Sequence, residues 1–163
     1  MRVSLIGPGL ALAAALFAVC GAPPAPFIPN RVELERGSAA FVNFVRLLDH
    51  GDYRVALALL RSPDGRALPA IEQDRLIASW TREFGASGED INLRASVGAA
   101  NVSRAPLPKN VEAVLDLTAT LEGTSRSCPP LPIHNMYVAV GRVEGEWFVL
   151  QDALSSYDFA CRR

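Results

Sequence analysis

From Val111 to Leu121 the chain alternates without a break. Val111, Ala113, Leu115, Leu117, Ala119 and Leu121 fall on one side of an extended backbone. Glu112, Val114, Asp116, Thr118 and Thr120 fall on the other. Strand residues point to opposite faces in turn, so the pattern requires a sheet with one buried and one wetter face, the usual condition of an antiparallel sheet. Neighbouring segments agree. Ile91, Leu93, Ala95 and Val97 alternate with Asn92, Arg94 and Ser96, and Met136–Val143 and Glu146–Ala153 flank Glu144-Gly145 as a tight hairpin.

Upstream, the period is helical. Phe41, Phe44, Val45 and Leu48 share one face, with Ser38 as N-cap and Gly51 as the stop. Asp52 caps a second helix carrying Tyr53, Ala56, Leu57 and Leu60, which ends before the turn Ser62-Pro63-Asp64-Gly65. Pro69 opens a third, in which Leu76, Trp80 and Phe84 recur every four residues up to Gly85. Helices first and strands afterwards indicate an α+β fold, with three N-terminal helices packed on a curved four-stranded antiparallel sheet.

The N-terminus gives an address. Arg2 precedes the apolar run Leu10–Val19, which ends at small residues and then a proline-rich stretch, the layout of a secretory signal over 1–20. The run is shorter than the roughly 20 residues that span a bilayer. Cys20 stands where a lipoprotein carries its lipid anchor, although Phe17 and Val19 depart from the usual residues before such a cysteine. Cleavage near Cys20–Ala22 without acylation is the competing route. Gly21–Pro29 holds four prolines, so residues 21–37 read as a tether and 38–163 as a single domain. The protein is expected to be periplasmic or extracellular, tethered to the membrane if Cys20 is acylated.

With Cys20 lipidated or removed, Cys128 and Cys161 remain, and a pair in an oxidising compartment is expected to form a disulfide. Closing that loop contributes roughly 3–4 kcal/mol on the chain-entropy estimate. The 16 Lys and Arg against 17 Asp and Glu give a net charge of −1 with no long block, so there is no basic face for nucleic acid.

Certain residues resemble the NTF2-like (cystatin-like, cone-shaped) superfamily over Ser38–Leu154. They are Phe41-Val42-Asn43-Phe44-Val45 leading to Gly51-Asp52-Tyr53, then Leu68-Pro69, Leu76, Trp80 and Phe84-Gly85, and finally Arg142 with Gly145-Glu146-Trp147-Phe148-Val149. Within that superfamily the chain looks most similar to small extracytoplasmic bacterial DUF3887-type modules. The resemblance implies a cone with a mouth between helices and sheet, where enzymes of this fold place acid–base groups. The positions to consider are Asp116, Tyr137, Asp152, His50 and His134.

Each has a plainer reading. Asp116 lies in the polar phase of its strand, His50 sits at a helix corner in Asp49-His50-Gly51-Asp52, and His134 follows the loop-like Pro129-Pro130-Leu131-Pro132. Cys-x-x-Cys, His-x-x-x-His and Gly-x-Ser-x-Gly are all absent, so no catalytic, cofactor-binding or metal-ligating residue is assigned. Trp80, Phe84, Trp147 and Phe148 suit a core better than a ligand pocket. Trp147 and Phe148 alternate, placing one toward the helices and the other toward a partner or solvent. The leading expectation is a non-enzymatic accessory protein that binds an envelope protein, or itself, through an exposed sheet face. The alternatives are a module holding a small apolar ligand in the cone, and a cone-site isomerase- or dehydratase-like enzyme.

Overall fold

The computed structural model describes residues 27–89, 91–125 and 128–151, with the backbone alone for 91, 124, 125 and 128–134. Helices α1 (Arg31–Asp49), α2 (Tyr53–Ala58) and α3 (Ala70–Phe84) precede the main strands β2 (Ile91–Val102), β3 (Ala113–Ser125), β4 (Cys128–Val143) and β5 (Glu146–Leu150). A two-residue strand β1 (Leu60–Arg61) sits between α2 and α3. The sheet order is β1-β5-β4-β3-β2.

The α+β class is as expected, but the sheet is five-stranded and mixed rather than four-stranded and antiparallel. The extra strand, β1, runs parallel to β5, pairing Leu60 with Val149 and Arg61 with Leu150. The other pairings are antiparallel. A strand of two residues is too short to show a period, so Leu60 reads from sequence as the end of the second helix.

The first helix also starts earlier. Asn30 is its N-cap, its side chain accepting from the Glu33 backbone N–H at 3.1 Å, eight residues before the expected Ser38. Residues 31–37, read from sequence as tether, are therefore helical. Their buried members are Glu33 and Gly37, which carry no apolar signal. Gly37 lets α1 lie close on the sheet, since a Cβ there would stand 2.5 Å from Leu115 Cδ1. Ser38 instead donates its hydroxyl to Leu34 O at 2.9 Å.

The corner after α1 forms as expected. Gly51 takes φ +75°, a conformation open mainly to glycine, and an added Cβ would meet the Ser87 backbone at 2.3 Å. Asp52 occupies the N-cap of α2 without a side-chain capping bond. Pro69 precedes α3 and Gly85 ends it at φ +84°. The β4–β5 turn takes positive φ at both Glu144 (51°) and Gly145 (86°), the geometry that matches strand twist in a two-residue hairpin.

One face of the sheet meets the helices. Phe41 and Phe44 from α1, Phe84 from α3, and Leu115, Leu117, Ala119 and Leu121 from β3 are fully buried there. The odd-numbered residues of β3 thus point inward, as their alternation requires. Trp80 packs edge-on to Phe44 at 6.0 Å and tilted against Tyr53 at 6.1 Å, joining α3 to the other two helices. Tyr53 donates its hydroxyl to Gly85 O at 2.7 Å. At the outer margin of the sheet, Asp49 Oδ1 accepts the Leu93 backbone N–H at 2.6 Å, tying the end of α1 to strand β2.

Candidate functional site

The space between helices and sheet, where a cone site would lie, is filled by side chains. Phe41, Phe44, Leu48, Phe84, Leu117 and Val140 there are each at most 1% exposed. Those of the residues considered for acid–base work that are described are not gathered in it. Asp116 and Tyr137 lie on the opposite, outward face, where Asp116 pairs with Ala139 and Thr118 with Tyr137. Tyr137 is 84% exposed. His50 is at the α1 corner, with Nδ1 3.6 Å from Asp49 Oδ2. Asp152 and the His134 side chain lie outside the described residues, as do Cys20, Cys161 and the Cys128 side chain. Among the described residues no group of three His, Cys, Asp or Glu is arranged to hold a metal ion.

A polar cluster sits at the hairpin end of the core. Glu33 is drawn inward by the first turn of α1 and accepts the Trp147 Nε1–H at 2.8 Å and an Arg36 Nη1–H at 3.0 Å. Arg142 from β4 approaches the same carboxylate, Nε to Oε2 at 3.5 Å, and its Nη1 donates to Glu112. The guanidinium lies 3.9 Å from the Phe27 ring centroid, and Glu112 also accepts the Gly145 N–H at 3.2 Å. The Glu33–Arg142–Glu112 chain is thus held between the residues that precede α1 and the β4–β5 turn. Glu33 and Glu112 each accept two hydrogen bonds, while Arg142 Nε is buried without one. The commitment of both carboxylates makes the cluster a structural clamp, since a general acid or base needs a free approach to its substrate.

Trp147 faces the helices, as alternation expects. Phe148 does face the other way, but it is half-buried against a small outer cluster of Val111, Val114, Val143 and Leu150. The exposed aromatic on the outward face is Tyr137 instead. Around it the β2–β3–β4 surface is polar and made largely of short side chains, among them Ser96, Asn101, Thr118, Thr120 and Asn135. Thr120 and Asn135 hydrogen-bond across strands at 3.1 Å. The signal for this site is the polar phase of the strands; what sequence does not reveal is that Phe148 is half-buried against Val111, Val114, Val143 and Leu150, with Arg61 over its ring.

Beyond Phe148 lies an open cleft of about 770 Å³, between the turn 62–66, the segment 109–112 and the hairpin. Arg61 rests over the Phe148 ring at 3.7 Å. Burial lowers its pKa from the ordinary guanidinium value, and the Glu144 carboxylate pushes it back up. Asp64 accepts from the Ser62 hydroxyl at 2.5 Å and from Arg66 Nε at 3.0 Å. The Ser62 bond, reinforced by Arg66, holds the Asp64 carboxyl below its usual value.

No protein-family model and no curated protein matches the chain. Among solved structures it is similar to ActVI-ORFA from Streptomyces coelicolor, at 12% identity with a TM-score of 0.47, covering 75% of this chain and 92% of that one. A likeness at that level leaves the function of this chain to be argued from its own residues.

Proposed function

We propose that the chain is an exported, non-enzymatic accessory module with an NTF2-like cone that binds a protein partner through the outward face of β2, β3 and β4. The carrying observation is Tyr137, 84% exposed at the centre of that face. Tyrosine supplies a large, stiff contact at low entropic cost, and surrounding Ser, Thr and Asn side chains supply adaptable hydrogen bonds, the composition that binding surfaces favour. The leader over 1–20 and the proline-rich stretch after it support delivery to the periplasm or exterior, either released or held through an acylated Cys20. The narrower DUF3887 likeness rests on its motif residues alone.

The test is site-specific photo-crosslinking of the full chain in cells, with the reactive side chain at position 137 or at Ile71, which is 80% exposed on α3. The expected result is a discrete adduct from position 137, a second copy or a single envelope protein, that is missing from position 71. Equal adducts from both positions, or none from 137, would refute the sheet-face reading.

A further inference from the structure

The cleft beside Phe148 has chemistry of its own. Its apolar wall is Val111, Val143 and Phe148. Its cations are Arg61, which rests over the Phe148 ring, Arg66 and Lys109, and its carboxylates are Glu112 and Glu144. Their commitments differ. Arg66 is paired with Asp64 and Glu112 with Arg142. Lys109 has no ion-pair or hydrogen-bond partner among the described residues. Arg61 uses one nitrogen, Nη1, on Leu60 O at 2.8 Å and Ala58 O at 3.1 Å. Its remaining N–H groups have no hydrogen-bond partner among the described residues; Glu144 acts on it only through its charge, and the guanidinium rests 3.7 Å from the Phe148 ring centroid.

The walls are set by contacts unrelated to any ligand. Asn110 donates to Asp64 O at 3.2 Å, joining the segment 109–112 to the turn 62–66. Gly65 lies so close to Val111 that a Cβ would approach its Cγ2 to 2.8 Å. The cleft is therefore formed before anything binds, as small-molecule sites generally are, and its volume lies within their usual range.

The geometry points to a binding site for a small monoanionic carboxylate on an apolar body, its carboxylate between Arg61 and Lys109 and its body against Phe148, Val111 and Val143. A planar guanidinium with free N–H groups suits a carboxylate. A dianion such as phosphate would meet more repulsion from the lining Glu112 and Glu144 than a monoanion does, and an uncharged apolar ligand would leave the cations unused. This site is separate from the sheet face around Tyr137, and neither reading depends on the other.

Titration calorimetry and amide chemical-shift mapping test it with three probes: 4-phenylbutyrate, 4-phenylbutanamide and inorganic phosphate. The acid is expected to bind and to shift the amides of Gly65, Asn110 and Glu144. The amide and phosphate should each bind at least about tenfold more weakly, the usual loss for a charge-assisted hydrogen bond. Lys109→Gln removes an exposed side chain without partners, so it should weaken the acid about tenfold in a protein that folds normally. Arg61→Lys keeps the charge, loses the fork and should weaken it as well. Equal binding of acid and amide, phosphate as tight as the acid, unchanged affinity in both variants, or no binding of the acid would each overturn the inference.

Discussion

Removing the Glu33 carboxylate isolates the worth of the clamp at the hairpin. Glu33→Ala takes a charged acceptor from the buried Trp147 indole N–H, a loss of about 1.5–3 kcal/mol. It also takes one of two carboxylate partners from Arg142, whose side chain is only 19% exposed. Breaking a buried ion pair from one side costs about 3–5 kcal/mol when the remaining charge is left alone. Here Glu112 and the Phe27 ring still hold Arg142, and the Arg36 pair is too exposed to add much. The sum comes to about 3 kcal/mol, near the lower bound for a broken buried pair. Glu33→Gln keeps an oxygen for the indole and should lose about half of that. The assay is urea unfolding followed by far-ultraviolet circular dichroism, with the midpoint falling at unchanged slope. A double-mutant cycle of Glu33→Gln with Trp147→Phe should return a coupling of about 1 kcal/mol. If Glu33→Ala costs less than about 0.5 kcal/mol, or the two changes add within about 0.3 kcal/mol, the clamp contributes nothing and the argument fails.

Other positions give separate checks. Tyr53→Phe strips the donor from a buried Gly85 carbonyl and should cost about 1–2 kcal/mol in the same unfolding assay; a neutral result would mean that bond is not made. Gly51→Ala forces a side chain into left-handed backbone and against Ser87, so stability should fall by more than about 2 kcal/mol; a variant as stable as the parent would contradict the corner geometry. The native Asp64 carboxyl is held below its unfolded value, so its contribution is present above the ordinary carboxylate range and lost as pH falls through the lowered native value. Stability curves of parent and Asp64→Asn should thus separate at neutral pH and converge in acid; curves that run parallel would remove Asp64 from the balance.

The parts of the fold legible from sequence are those with a long period. Strand β3 shows this best, since Leu115, Leu117, Ala119 and Leu121 are buried in the order their alternation requires. The turn glycines Gly51, Gly85 and Gly145 are equally readable, because each takes a positive φ that few other residues accept. What escaped has a common cause. The first two turns of α1 bury a charge and a glycine, so an apolar count cannot find them; Asn30 followed by Glu33 was the available signal. Strand β4 begins at Cys128, eight residues before the expected Met136, running through Pro129, Pro130 and Pro132. Its register with β3 is interrupted there, and β5 pairs only with Val140–Val143, so one side of this stretch has no β5 partner. For function, sequence marked Tyr137 as a residue of interest but for an inward role, because alternation gives two faces without saying which one the helices cover. The cleft was not readable at all, since it joins Arg61, Lys109 and Phe148 from three separate stretches of chain.

The bond from Asp49 to Leu93 bears on how this protein behaves when crowded. Strand β2 is the outermost member of its sheet, twelve residues long, and such a margin offers its free amides to any passing extended chain. At Leu93 the amide is already taken by a carboxylate, so a strand from another molecule could add there only by displacing a charge. Further along, the register break between Val97 and Ala99 bends the margin and spoils a long match. Together these two features discourage stacking of one copy on the next into fibrils, a hazard for any protein with so long an open strand.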